Sequence, residues 1–289
     1  MERWYNMNAI LYEMLYCSLF DRETVFMRPK HRREKGEPTS YRCIKVFKAA
    51  GLSYALNTMV NYKEIPSSLN IYYSLGKYKD GIMDCGNVLK FRHAKTEEWK
   101  AEHHKTMIEY DCLIDVDSPA HDPRSMGFAK DTTREVINLL DQFSIPYFLR
   151  FSGMGYHIVI PYYVFKHLNL NFDPDDVEHN IYGFYNNLTQ RLHDIYSELI
   201  DENLHDSRRV TKVPYSLVFY NGITMMCWPF KTKGEFLTRN YTDFRVNSNL
   251  SFIGEEKIFR RGQYLFNQNE WTPACTDSFL RELQVTPCN

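Results

Sequence analysis

No two of the seven cysteines (Cys17, Cys43, Cys85, Cys112, Cys227, Cys275 and Cys288) stand at C-x-x-C spacing, and their number is odd. That leaves neither a zinc knuckle nor an even disulfide framework, so the thiols are expected to be reduced in an intracellular protein. Long apolar runs are also missing. The first twenty residues place Ile10, Leu11, Met14 and Leu15 at helical spacing, but Glu2, Asn6, Asn8 and Glu13 interrupt them. Neither a signal peptide nor a membrane span is expected, and the chain reads as soluble, cytoplasmic or, in a eukaryote, nuclear. An excess of one charge sign is absent as well: 35 Lys and Arg stand against 36 Asp and Glu, a net charge of -1. The total therefore gives no global attraction to a polyanion, although a local basic groove can hide inside a neutral sum. Internal repeats, low-complexity segments and the regular βαβ rhythm of a doubly wound sheet are missing too.

The 289 residues carry 44% apolar and 25% charged side chains, with 21 Tyr and 19 Phe, enough for a sizeable core. Residues 28–37 read as a basic loop after an N-terminal helix, 69–78 as a strand, and 94–107 as a helix. A clear alternation follows. "YDCLIDVD" reads as a strand and residues 131–143 as an amphipathic helix with Asp131 as N-cap. Residues 145–151 read as a strand, "SGMG" as a turn, and 156–164 as another strand. A helix is expected from about 174 to 200, with Val177, Ile181, Phe184, Leu188, Leu192, Ile195 and Leu199 at threes and fours. Extended structure returns in "RRVTKVPYSLVFY" and "GITMMCWPF".

Three constellations stand out. Asp115 and Asp117 end a strand with one residue between them, so both carboxylates project from one face. Such a pair either closes the strand into a turn or offers hard oxygen ligands to a divalent cation. Ser152, Gly153, Gly155 and His157 form a glycine turn between strands. Its backbone N–H groups, hydroxyl and imidazole suit phosphate oxygens, and a plain tight hairpin is the alternative. It is not a Walker A loop, because no Gly-Lys-Ser/Thr follows. It is not a nucleophile elbow either, because Ser152 precedes the glycines and no helix follows. Third, Asp201 stands behind Ile200 and is followed by Arg208, Arg209 and Lys212 entering "VPYS". That basic cluster reads either as a phosphate-binding strand or as a solvated edge.

Taken in order, D-x-D, then S-G-x-G-x-H, then hydrophobic-Asp with a basic cluster and P-Y-S resembles the archaeo-eukaryotic primase superfamily. Its members include small catalytic primase subunits, primase-polymerases and end-joining polymerase domains. The segment "SLNIYYSLGKY" is similar to a stretch that precedes the metal motif in archaeal small subunits. The resemblance covers residues 65–222. It implies Asp115, Asp117 and Asp201 as catalytic carboxylates and ligands of a two-metal Mg²⁺ or Mn²⁺ site. It further implies Ser152, Gly153, Gly155, His157, Arg209 and Lys212 as the nucleotide-binding set. Asp206 competes with Asp201 as third ligand, but Asp201 sits behind an apolar residue, as the motif expects.

The sequence departs from the family in two places. The glycine turn is one residue shorter than in replicative subunits and lacks their basic residues, which leaves Arg124, Arg150 and Lys166 as cation candidates. No Cys/His cluster has ligand spacing, so no structural zinc is expected. The expected fold is a mixed α/β (α+β) catalytic core. The resemblance supplies an RRM-like antiparallel sheet carrying the Asp motifs, packed against a second α/β module that supplies or supports the His157 turn. We expect one catalytic domain over 1–289, with an N-terminal module at about 1–107, a metal and nucleotide core at about 108–265, and residues 266–289 unassigned. The implied activity is template-directed nucleotidyl transfer in DNA replication or repair. Its partners would be single-stranded or primed DNA, NTPs or dNTPs, and a large primase subunit or helicase, with no membrane. The alternatives are a metal-dependent nuclease or phosphohydrolase on the same carboxylates, and a non-catalytic nucleic-acid-binding module.

Overall fold

The computed structural model describes residues 22–27, 40–43, 70–79, 107–173, 175–176, 179–206, 209–220, 223–246 and 264–286. The expected N-terminal helix, the basic loop at 28–37, most of the expected helix at 94–107, and Val177 and Arg208 lie outside them. In chain order the strands are β1 (Arg22–Met27), β2 (Ser40–Cys43), β3 (Asn70–Tyr78), β4 (Met107–Tyr110), β5 (Cys112–Asp117), β6 (Tyr147–Phe151) and β7 (Gly155–Ile160). They continue with β8 (Val210–Lys212), β9 (Leu217–Tyr220), β10 (Ile223–Met226), β11 (Trp228–Pro229) and β12 (Leu265–Phe266). The α-helices are α1 (Met126–Gln142), α2 (Ile181–Tyr196), α3 (Lys233–Thr238) and α4 (Pro273–Glu282). The expected mixed α/β class with antiparallel sheets is what the chain adopts.

The chain divides into two compact units, and each is interleaved in sequence. The first takes Met1–Ile108, Val210–Trp228 and Thr238–Gln263. Its sheet runs β2-β1-β3-β4, with β8 also paired to β3, and β9 and β10 form a separate hairpin. Strand β3 suits a sheet centre, with Ile71, Tyr73, Leu75 and Tyr78 nearly inaccessible. The ladder between β1 and β3 shifts register between Arg22 and Thr24. There the buried Arg22 guanidinium donates to the Ser74 and Leu75 carbonyls.

The second unit takes Glu109–Arg209, Pro229–Leu237 and Tyr264–Asn289. Its sheet runs β11-β6-β7-β5, with β12 on β6. Helix α1 packs against β5, β7 and α2. Along β5 Cys112, Ile114 and Val116 are sealed in the core, and on the other face Leu113 is buried whereas Asp115 and Asp117 are half-buried. The hairpin that bears His157 belongs to this same sheet, beside the Asp pair, and not to the other unit.

Three helix boundaries differ from the sequence reading. Helix α1 begins at Met126, with Ser125 in the cap position, so Asp131 is not the N-cap. Met126 and Ala129 are buried with Thr133 and Val136, which carries the apolar stripe a turn further toward the N-terminus. Asp131 instead pairs with Arg134, three residues on, at 3.1 Å on the exposed face. Helix α2 starts only at Ile181, capped by the Asn180 side chain, which accepts from the Gly183 N–H at 2.7 Å. The stretch before it closes on itself, because the Asn171 and Asp173 carbonyl and carboxyl oxygens accept backbone N–H groups two residues on. The same helix ends at Tyr196, and Ser197 turns extended. Leu199–Asp201 therefore leave the helix and lie beside β5 instead of finishing α2.

Candidate active site

The register of the second unit's sheet brings together residues that are far apart in sequence. Asp115 on β5 stands directly opposite His157 on β7, and His157 stands directly opposite Arg150 on β6. On the other side of β5, Val116 bridges Ile200, with Asp117 N–H bonded to the Leu199 carbonyl and Asp201 N–H bonded to the Asp115 carbonyl, both at 3.0 Å. That register sets Asp201 opposite Asp115. Residues directly opposite in an antiparallel pair share a face, so Asp201, Asp115, His157 and Arg150 form one row across four chain segments. Asp117 shares the Asp115 face two positions further along the strand.

The row is graded in both charge and exposure. Arg150 is 1% exposed, and the side chains of His157 and Asp115 are 7% and 17% exposed. Asp201, at 46%, faces solvent. The His157 Nε2 lies 3.3 Å from Asp115 Oδ1, and an Arg209 Nη donates to Asp201 Oδ2 at 2.9 Å. Asp201 and Asp115 are neighbours in the row, and each has a nitrogen-bearing partner on its outer side, Arg209 for Asp201 and His157 for Asp115.

The glycines between β6 and β7 have local reasons to be glycines. Ser152 N–H bonds the Gly155 carbonyl at 2.9 Å, leaving Gly153 and Met154 as a two-residue hairpin loop. Gly153 sits at φ 108°, in the half of backbone space that hairpin turns of this length reserve for glycine. At Gly155 a Cβ would fall 2.1 Å from the Val116 carbonyl oxygen and 2.9 Å from Asp117 Cα. Glycine there lets β7 approach the end of β5 that carries the Asp pair. The Ser118 N–H bonds the Met154 carbonyl at 3.0 Å, which ties the loop tip to the residue after Asp117. Ser152 itself is buried at the foot of the loop.

Asp201 rides on a loop that α2 and β5 hold from both sides. His193 Nδ1 meets the Ile200 carbonyl at 2.8 Å, and the Thr189 hydroxyl donates to the Glu202 carbonyl at 2.6 Å. Asn186 accepts from the His205 N–H and donates to the His205 carbonyl. The Tyr110 hydroxyl donates to the Asp206 carbonyl. These holding residues were not singled out from sequence. Their signal is tertiary, since only the fold brings α2 alongside 197–206. Burial pushes the His205 imidazole down to about 3, with the Arg209 charge adding to the effect and its bond to the Leu113 carbonyl opposing it. The neighbouring Cys112 thiol and Tyr185 phenol are pushed up chiefly by burial, so both stay protonated in ordinary buffers.

The remaining sequence candidates fall elsewhere. Lys212 belongs to the first unit, on β8, where its ammonium lies over the Tyr72 ring. Arg124 is exposed and bonded through two nitrogens to Asp122, whose carboxyl it holds below the usual range. Lys166 is exposed on a short 3-10 turn, whereas Arg150 alone of the three cation candidates stands in the row. Asp206 lies beyond the row, and its carbonyl accepts from the Tyr110 hydroxyl and the Arg209 N–H. Asp111, at the other end of β5, is buried and accepts from the Tyr162 N–H at 2.9 Å, anchoring the turn that follows β7.

Asp115, Asp117 and Asp201 offer only hard oxygen donors on adjacent backbone positions, a set that fits Mg²⁺ or Mn²⁺ by chemistry. As the side chains stand, Asp115 turns to His157 and Asp201 to Arg209. Among the described residues no group of three His, Cys, Asp or Glu side chains is drawn together closely enough to hold a metal ion. Nor is any helix among them long and apolar enough to cross a membrane.

No described protein family and no curated protein matches the sequence. Among solved structures, the polymerase domain of Ligase D from Mycobacterium tuberculosis, in complex with DNA, is similar over 98% of this chain and 88% of that chain, with a TM-score of 0.47 and 12% identity.

Proposed function

We propose that this chain is a template-directed nucleotidyltransferase of the primase-polymerase kind, with the row on the second unit's sheet as its catalytic centre. One observation carries the reading. Three motifs that resemble those of the primase superfamily in order and spacing have their acidic and histidine members, Asp201, Asp115 and His157, side by side on one sheet face. A hairpin, a turn and a solvated edge strand would each account for one motif, but none requires all three to converge.

In this reading Asp115, Asp117 and Asp201 would hold Mg²⁺ or Mn²⁺, which when bound supplies Lewis-acid stabilisation of charge on the reacting phosphoryl group and the departing pyrophosphate. The chain's own residues supply position. His157, packed against Asp115 with little freedom, offers its imidazole to a triphosphate oxygen. Ser152 and the loop amides at Gly153 and Gly155 serve the same triphosphate. Arg150 lends positive potential from behind His157, in a buried setting where charge is felt strongly. Arg209 is poised to exchange Asp201 for phosphate, since an arginine fork pairs with either anion. Positioning and electrostatics of this type account for most of the acceleration in phosphoryl transfer. DNA is the proposed template, and NTPs or dNTPs the proposed substrates.

The test is labelled primer on a longer DNA template with Mn²⁺, run with and without nucleotides. We expect lengthening of the primer only when nucleotides are present. Shortening of the primer without nucleotides would replace this reading with a metal-dependent nuclease on the same carboxylates. An unprimed template with each sugar type then separates primer synthesis from primer extension.

A further inference from the structure

The edge of β5 that faces Asp201 is an interrupted ladder. Two backbone bonds open it, Asp117 N–H to the Leu199 carbonyl and Asp201 N–H to the Asp115 carbonyl. In a regular antiparallel ladder the next bond, two residues further on each segment, would run from the Asn203 N–H to the Leu113 carbonyl. That carbonyl instead has the His205 imidazole, with Nε2 at 3.0 Å. A carbonyl can only accept, so Nε2 carries the proton and Nδ1 carries the lone pair.

The imidazole is 4% exposed and lies 5.2 and 5.9 Å from the ring centres of Tyr185 and Tyr110. Its Nδ1 is buried with no hydrogen-bond partner. An apolar side chain would fill this pocket without burying an orphaned nitrogen, which is a costly arrangement. What an apolar side chain lacks is a donor for Leu113. Asn186 adds a second grip, bonding both the N–H and the carbonyl of His205 at 2.8 and 3.0 Å and so fixing that residue's backbone against α2.

We propose that His205, held by Asn186, is a positioning residue for Asp201: its Nε2–H stands in for the missing ladder bond to Leu113 and locks the register that sets Asp201 opposite Asp115. Register matters because a slip of one residue along β5 would turn Asp201 to the opposite face. His205 touches neither substrate nor carboxylate in this role. Its effect on catalysis rests on the nucleotidyltransferase reading above, whereas its effect on the loop does not.

The full-length chain with His205→Leu, which keeps bulk without a donor, is compared with His205→Gln, whose terminal amide can still donate. Amide hydrogen exchange at Asp201 is the first readout. We expect protection to fall about tenfold in the Leu variant, the equivalent of one lost hydrogen bond, and to stay near wild type in the Gln variant. The second readout is the Mn²⁺ concentration giving half-maximal nucleotide incorporation. It is expected to rise about tenfold in the Leu variant and to return with Gln, while the rate at saturating Mn²⁺ changes by less than about threefold. Unchanged Asp201 protection in the Leu variant overturns the proposal. So does a common loss of melting temperature in both variants with no movement of the Mn²⁺ midpoint, the mark of a merely structural residue. If the wild-type chain incorporates no nucleotide, the functional reading fails and amide exchange alone decides the loop. If neither variant folds, nitrogen NMR of the wild-type imidazole decides: a proton on Nε2 with Nδ1 bare supports the proposal, and a proton on Nδ1 overturns it.

Discussion

Along one edge β5 is zipped to β7 through consecutive pairs from Cys112–Ile160 to Asp117–Gly155. Along its other edge it meets the 199–206 loop through two backbone bonds and an imidazole. The first edge fixes Asp115 against His157 by backbone geometry alone, so the spacing of that pair is as rigid as the sheet. The second fixes Asp201 through side chains of α2 and through His205, and its outermost member, the Arg209–Asp201 pair, is partly exposed to solvent. The difference assigns separate tasks to the two flanks of one strand. A continuous ladder suits groups whose spacing must not change. On the proposed reading, a loop held by side chains suits a carboxylate that would release Arg209 to take a metal ion.

The largest effect expected to expose this contrast is a pH dependence on the loop edge. His205 stays neutral in the folded chain down to about 3 but takes up a proton near 6.5 when unfolded. Between those values the unfolded state binds more protons, so stability is fully present above about 6.5 and is lost as pH falls toward 3. The full span corresponds to on the order of 5 kcal/mol. Urea unfolding of wild type and His205→Gln at pH 7, 5.5 and 4.5 checks this, with wild type losing stability relative to the Gln variant as pH falls. A difference that stays constant with pH would mean that the imidazole is not held neutral.

A smaller effect, on the ladder edge, is expected from Gly155→Ala. The added methyl meets the Val116 carbonyl oxygen, backbone that cannot swing aside. We expect about 2–3 kcal/mol of lost stability from overpacking, independent of pH. Because the strands are forced apart beside Asp117, activity is expected to fall with it. A variant with native stability in urea would show that β5 and β7 can separate freely, removing the contrast between the edges.

The smallest effect is expected from Arg209→Ala. Both partners of this ion pair are partly exposed, at 30% and 46%, so its contribution to stability is expected below about 1 kcal/mol. Its effect on the apparent KM for nucleotide is expected to be larger than its effect on unfolding. Substantial destabilisation without a change in KM would make the pair a structural clamp instead of an exchangeable one.

Much of the second unit was legible because its signals are local. The alternation of "CLIDVD" against a following amphipathic helix, and the two glycines of the hairpin, carry their own periodicity and turn chemistry. The order of acidic and histidine motifs was legible too, since each occupies a short run. The end of α2 was less so. Leu199 continues the apolar spacing of the helix, yet Ser197 turns extended and the chain is captured by β5, a competition that only tertiary contacts decide. The roles of Asn186, Thr189, His193 and His205 were illegible for the same reason: they act on a loop that the fold delivers to them. Asp111, at the other end of the strand, reads as a bystander to the pair, and only the fold shows that it anchors the Tyr162 N–H.

The two ends of β5 provide the most direct test of the central claim. Single-turnover nucleotide incorporation on a primed DNA template is measured for wild type, Asp115→Asn and Asp111→Asn, with folding of each verified by urea unfolding. The account predicts a loss of about a thousandfold or more for Asp115→Asn with the fold intact. It predicts near-wild-type incorporation for Asp111→Asn, whose amide oxygen can still accept from Tyr162. Equal rates for wild type and Asp115→Asn would contradict it.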